Sequence, residues 1–218
     1  MRLIIVGATG LVGQGVLGAC LAATDVERIV LLGRQRADIA DDARVMQWQV
    51  ADLRDINGSE PGLADLDACL YCAGVVPGLS EAVYRQVTAD LTVHVADAFA
   101  RANPQGTFVY VSGAGSDARA ALMPMRVKGD AEDALRGLGI RTVMIRPGIV
   151  QPVDGVRSPH PARAAVYALA GPILGLATRS MPSMMTTSSR VGRAMLAALR
   201  QTPPPAVLEN AEINALGA

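Results

Sequence analysis

Short apolar runs recur along the chain, separated by longer stretches of helical periodicity. RLIIV (2–6), RIVLL (28–32), VMQWQ (45–49), ACLYC (68–72), TFVYVS (107–112), RTVMIR (141–146) and AVLEN (206–210) read as strands. LVGQGVLGACLAA (11–23), SEAVYRQVTADLTVHVADAFARA (80–102), KGDAEDALRGL (128–138) and SRVGRAMLAALR (189–200) read as helices, with Ser80 as an N-cap and Gly139 as a stop. Strands that are apolar throughout are buried on both faces. Their alternation with helices predicts an α/β fold, a doubly wound parallel sheet with helices on both faces and right-handed crossovers. No internal repeat is visible, and TPPPA (202–206) reads as a stiff connector. The chain is expected to be a single domain, with a core over 1–150 and a small, dependent C-terminal cap over 151–218.

The first candidate chemistry lies where the first strand meets the first helix. GATGLVG (7–13) has the spacing of a phosphate-binding turn. Gly7 makes the turn, Gly10 lets backbone approach a diphosphate, and Gly13 lets the helix pack against the sheet. Thr9, Leu11 and Val12 complete a helix start whose free N–H groups would face the anion. An ordinary tight βα turn is the bland reading of the same residues. At the end of the second strand, LLGRQR (31–36) offers Arg34 and Arg36 where NAD-binding forms carry an acid. A guanidinium suits a 2′-phosphate, so NADP is expected ahead of NAD. The bland alternative is two solvated arginines.

Composition narrows the class further. Lys+Arg and Asp+Glu are both 20, so no basic excess points to nucleic acid. Half the residues are hydrophobic and only 3% aromatic, which leaves the core to aliphatic side chains and Met. Cys20, Cys69 and Cys72 form no evident disulfide framework, and the N-terminus lacks the look of a secretory signal, so a cytoplasmic protein is expected. The most apolar stretch, AAVYALAGPILGLA (164–177), is interrupted by Gly171-Pro172 and flanked by Arg163 and Arg179. It reads as a buried or lid helix pair, not a membrane span.

The order GATGLVG, LLGR, ADL (51–53), YCAG (71–74), VSGAG (111–115), Lys128 and RPGIV (146–150) resembles the short-chain dehydrogenase/reductase superfamily. The likeness is to its atypical branch of NAD(P)-binding, Rossmann-type, reductase-like and epimerase-like proteins. It covers nearly the whole chain, more specifically in the N-terminal half. It implies that Asp52 and Leu53 border the adenine, and that Cys72, Ala73 and Gly74 lie along the ribose and diphosphate. It further implies that Ser112 is the catalytic serine, that Lys128 bonds the nicotinamide ribose, and that Pro147, Gly148, Ile149 and Val150 flank the nicotinamide. One departure matters most. The family's general acid/base is a tyrosine four residues before the lysine, and Pro124 stands there. Proline has no proton to transfer; the bland reading of Pro124 is a first-turn proline, where a missing N–H costs nothing.

Other candidates are weaker. Cys69 and Cys72 have redox spacing but fall on opposite faces of a strand, as core cysteines do. His94 reads as an ordinary helix residue. His160 and Tyr167 lie where relatives build a substrate lid, Tyr84 is a further phenol, and Asp117 reads as a turn residue. The methionines of SMPSMMTT (180–187) fit a pliable pocket or core filling. The expected function is NADP(H)-dependent hydride transfer to a small apolar or aromatic substrate. The alternatives are a catalytically degenerate coenzyme sensor and, less favoured, a sugar-nucleotide epimerase or dehydratase. Fold-level analogy adds a homodimer through helix 80–102.

Overall fold

The computed structural model describes residues 1–75, 78, 80–152 and 184–218. Nine strands occur among these residues: β1 (Arg2–Val6), β2 (Arg28–Gly33), β3 (Val45–Gln49), β4 (Ala68–Tyr71), β5 (Thr107–Val111), β6 (Arg141–Arg146), β7 (Ile149–Gln151), β8 (Met185–Thr187) and β9 (Val207–Glu209). Their helices are α1 (Leu11–Ala22), α2 (Glu81–Arg85), α3 (Leu91–Ala102), α4 (Met123–Arg136), α5 (Ser188–Leu199) and α6 (Asn210–Leu216). Seven strands form one sheet in the order β3-β2-β1-β4-β5-β6-β9. Every pairing in it is parallel, which makes this an α/β Rossmann-like fold. The strand order reverses between β1 and β4, so a crevice opens where their carboxyl ends diverge.

The sheet's pleat sorts the core into two layers. Leu3 and Ile5 of β1 join Val16, Cys20, Val191 and Met195 on the face covered by α1 and α5. Ile4 and Val6 join Val95, Phe99, Val127 and Leu135 on the face covered by α3 and α4. The α1–α5 contact is backbone to backbone. A Cβ on Gly15 would fall 2.2 Å from the Ser188 carbonyl oxygen, and one on Gly192 would fall 2.4 Å from that of Gly15.

Three features depart from the sequence pattern. Helix α4 begins at Met123, five residues earlier than expected, with Pro124 in its first turn, where a missing N–H costs nothing. The helix expected over 80–102 is split by a π turn over Gln86–Asp90, and Ser80 occupies the N-cap position without a side-chain capping bond. The short β7–β8 ladder and α6 were not legible, because three-residue strands carry no usable periodicity. Residues 184–218 also do more than cap the core: α5 covers one sheet face and β9 is the seventh strand. The stretch 164–177, His160 and Tyr167 lie outside the described residues. Among the described residues no helix is long and apolar enough to cross a membrane.

Candidate functional site

The turn after β1 is shaped by glycine. Gly7 has φ +83°, and a Cβ there would lie 2.8 Å from the backbone of Ala73. The loops after β1 and β4 therefore touch through backbone. A Cβ on Gly13 would fall 2.1 Å from the Gly7 carbonyl oxygen, so α1 starts in contact with the turn it leaves. Gly10 is the N-cap of α1. No side chain caps this helix and its first turn carries no acid. Gln14 Nε2 donates to the Thr9 carbonyl oxygen at 2.9 Å and closes the outside of the turn. Leu11, Val12 and Gly13 are the first three helical residues, whose N–H groups point out of the helix end. Such an end, with its positive dipole, suits an anion.

Beyond β2, Arg34 and Arg36 are exposed. The Asp52 carboxylate caps the turn that follows, accepting from the Arg54 backbone N–H at 2.9 Å, and it binds the Arg54 guanidinium. That hydrogen bonding, with a smaller contribution from the Arg34 charge, pulls Asp52 down to about 2. Arg34 and Arg54 thus both bear on Asp52 beside the expected adenosine end. Leu53 turns its side chain into the core. At the end of β4, Cys72 packs against the α1-side core and burial pushes its thiol far up. Cys69 is buried in the opposite layer, as the strand pleat requires. Any contribution of Leu53 or Cys72 to a ligand comes from backbone. Gly74 has open space where a Cβ would stand.

The other half of the crevice lies after β5 and β6. Ser112 is buried, and its hydroxyl donates to Ser116 Oγ at 2.8 Å, which donates on to the Gly113 carbonyl oxygen at 2.7 Å. Lys128, in the second turn of α4, donates its ammonium to the Ser112 carbonyl oxygen. Desolvation lowers Lys128 from 10.5 to about 8, against the pull of Glu132 one helical turn on. Pro147 accepts from the Ala114 N–H at 2.9 Å, and Gly148 donates to Asn210 Oδ1 at 2.7 Å. A Cβ on Gly148 would fall 2.1 Å from the Met184 carbonyl oxygen, so this glycine serves the approach of the β8 strand. Ile149 is exposed, and Val150 packs against the core.

Tyr84, singled out only as a further phenol, is closed off by its burial. Tyr71, Tyr84 and Tyr110 are all at most 1% exposed and belong to the core layer beneath α3 and α4, so none can reach a substrate. Their phenols are pushed up by burial. Helical spacing alone could not say that α2 turns Tyr84 inward. Met185 is buried core and Met184 is exposed, while Met181 lies outside the described residues. Asp117 is a turn residue, accepting from the Arg119 N–H at 2.7 Å, and His94 is half-buried on α3.

Sequence reasoning passed over Ser116, Arg54 and a buried ion-pair network. Glu132, 1% exposed, is gripped by Arg146 through two bonds of 2.9 and 2.6 Å and by Arg136 at 2.9 Å. Arg146 also reaches Glu209 at 2.9 Å. One signal was present in the sequence: Lys128 is the only lysine of the chain, against nineteen arginines. Where a fixed charge would do, arginine stands; the one compact, titratable cation is at the end of β5. Two grooves, of about 620 Å³ between α1 and α5, reaching Gln14, and about 610 Å³ at the amino ends of the strands, are not lined by Ser112, Lys128 or Glu132.

No protein-family profile matches the chain. It is 30% identical over 176 residues to "Protein fmp52-1, mitochondrial" of Aspergillus oryzae, covering 77% of this chain and 72% of that protein. It is 29% identical over 156 residues to "Protein fmp52, mitochondrial" of Emericella nidulans, covering 67% of this chain and 65% of that protein. Against the latter it therefore spans slightly less than two thirds of the relative's length. These names overturn the expected cytoplasmic location. Unpaired cysteines report only a reducing setting and do not identify a compartment.

Among solved structures, the fold is similar to "MoeE5 in complex with UDP-glucuronic acid and NAD", with TM-score 0.71, 15% identity, and 95% of this chain and 75% of that chain covered. It is also similar to the UDP-glucuronic acid 4-epimerase from Bacillus cereus in complex with NAD, with TM-score 0.65, 15% identity, and coverage of 95% and 76%. The oxidoreductase ylbE from Lactococcus lactis gives TM-score 0.58, 21% identity, and coverage of 71% and 72%. At these identities the likeness establishes the fold.

Proposed function

The chain belongs to the family of the fungal fmp52 proteins, and from that premise we propose that it is an NADP(H)-binding oxidoreductase of the atypical short-chain dehydrogenase/reductase type. The observation that carries this reading is the carboxyl edge of the sheet. There an uncapped, acid-free helix start, with two glycines whose places no Cβ could share, lies across the strand-order reversal from a lysine seated on the Ser112 carbonyl. The residues fit a dinucleotide. Amides of Leu11, Val12 and Gly13 would hold the diphosphate, Ala73 and Gly74 would line its path, and Arg34 would pair with a 2′-phosphate. Asp52 and Leu53 would border the adenine. Lys128 would hold ribose hydroxyls, with Pro147 to Val150 beside the nicotinamide. Bound NADPH supplies a hydride.

The chain's own contribution to proton transfer differs from that of the superfamily it resembles. Pro124 offers no proton, the three described tyrosines are buried, and the Ser112 hydroxyl is committed to Ser116. This supports an acceptor that takes hydride to a ring-delocalised anion and draws any further proton from solvent, such as a flavin, over a simple carbonyl. Calorimetry on purified protein tests the coenzyme reading, with heat expected from NADPH in preference to NADH. Following NADPH oxidation with flavins, quinones and carbonyls tests the reaction. Silence in calorimetry from both coenzymes would end the proposal.

A second reading is favoured by Pro124 itself: a coenzyme sensor in which binding outlives chemistry. It predicts tight NADP binding without turnover against any acceptor. Turnover abolished by Ser112→Ala would rule it out, and carbonyl reduction gained by Pro124→Tyr would show that only the acid was missing.

A further inference from the structure

Lys128 and the turn at Pro147-Gly148 come from different elements, α4 and the end of β6, and one buried carboxylate joins them. Glu132 lies four residues after Lys128, on the same side of α4. Its Oε1 accepts from Arg146 Nε at 2.9 Å and its Oε2 from Arg146 Nη2 at 2.6 Å, a two-pronged grip that fixes both position and plane. Arg146 is the last residue of β6, directly before Pro147. The strand end is stitched to the neighbouring loop as well, Ser112 N–H to the Ile145 carbonyl at 2.8 Å and Ala114 N–H to that of Pro147 at 2.9 Å. Lys128 holds the carbonyl of the same Ser112.

We propose that Glu132 is a positioning residue of the coenzyme site, setting through Arg146 the seat of the 147–150 turn and through its charge the state of the Lys128 amine. This rests on the coenzyme reading above. The charged neighbours can be named element by element. On α4, Arg136 also binds Glu132 at 2.9 Å, while Asp130 is taken up by Arg85 of α2 at 2.8 Å. From β6 comes Arg146, from β9 Glu209 on the far side of Arg146, and from β5 the buried phenol of Tyr110, which feels Glu132. Glu132 is the charge that favours the Lys128 ammonium, opposing its desolvation.

Because Lys128 is the only lysine, protein labelled with ¹³C-lysine gives one Cε resonance, whose titration reads this amine without a bound ligand. Glu132→Gln removes the anion and leaves Arg146 with Glu209 alone and Arg136 with Asp133 alone, so the midpoint is expected to fall by about one pH unit. Arg146→Met removes a cation and leaves Glu132 less neutralised, so the midpoint is expected to rise. NADPH affinity by calorimetry is expected to drop about tenfold or more in both variants. A merely structural bridge would not move the Lys128 midpoint in opposite directions. If Glu132→Gln does not fold, the upward shift and weakened binding of Arg146→Met decide the matter. Unmoved midpoints in a protein that binds NADPH overturn this role alone. A wild type that binds neither coenzyme overturns the coenzyme reading and this role with it, whatever the resonance does.

Discussion

At the β1–α1 turn the groups that face the crevice are backbone amides, held by Gly7 and Gly13 against the Ala73 loop and the turn itself. Across the crevice, at the ends of β5 and β6, the polar groups that meet are side chains: Lys128, Ser112, Ser116, Glu132 and Arg146. The first half needs almost no particular side chain, only the absence of Cβ atoms and of a capping acid. The second depends on five polar groups from three segments meeting with correct charges. A backbone site is broken by adding volume. A side-chain site is broken by removing a single charge.

The contrast can be tested in order of size. Glu132→Ala should be the most damaging single change, because it leaves the partly buried Arg146 cation with only the exposed Glu209; about 3 kcal/mol of stability is expected to go, measured by urea unfolding. Replacing both partners, Glu132→Met with Arg146→Met, should recover most of that loss without restoring coenzyme affinity, if the pair serves the site more than the fold. At the backbone end, Gly13→Ala should cost about 1–3 kcal/mol by overpacking against the Gly7 carbonyl. The same variant should abolish NADPH heat in calorimetry while leaving the circular dichroism of the folded chain unchanged.

Arg34→Ala should touch stability little, since the side chain is exposed, yet weaken NADPH roughly tenfold while sparing NADH. Equal losses for both coenzymes would remove the 2′-phosphate assignment. The smallest effect concerns pH. The Lys128 amine sits near 8 in the fold against an ordinary 10.5, so the unfolded chain binds more protons between those values. Stability contributed at this position therefore rises with pH across about 8 to 10.5 and is lowest, and flat, below about 8. Thermal unfolding of wild type and Lys128→Met should converge as pH rises through that window.

Much of the backbone end was legible. The run RLIIV, the spacing of Gly7, Gly10 and Gly13 and the helix after them are local facts, and the structure has β1 over Arg2–Val6 and α1 from Leu11. All seven strands of the main sheet were likewise readable as apolar runs. Less was legible on the other side. The helical run at 128–138 began five residues too late because LMPMR lacks a capping residue, Leu122 taking the N-cap place with no side-chain bond, although the first-turn reading of Pro124 is the one the structure has. Whether Tyr84 reaches a pocket was not legible, because periodicity gives a helix face but not what covers it. Glu132 was not singled out at all, since its burial is decided by β6.

The sequence by itself determined the order of strands and helices, the parallel sheet, the bare helix start and the proline at position 124. Each follows from local steric rules or from the alternation of apolar and polar residues. Only the tertiary structure decided which charges meet. Arg146 finds Glu132 fourteen residues away and Glu209 sixty-three away, and such pairings come from register and packing between elements, on which local pattern is silent.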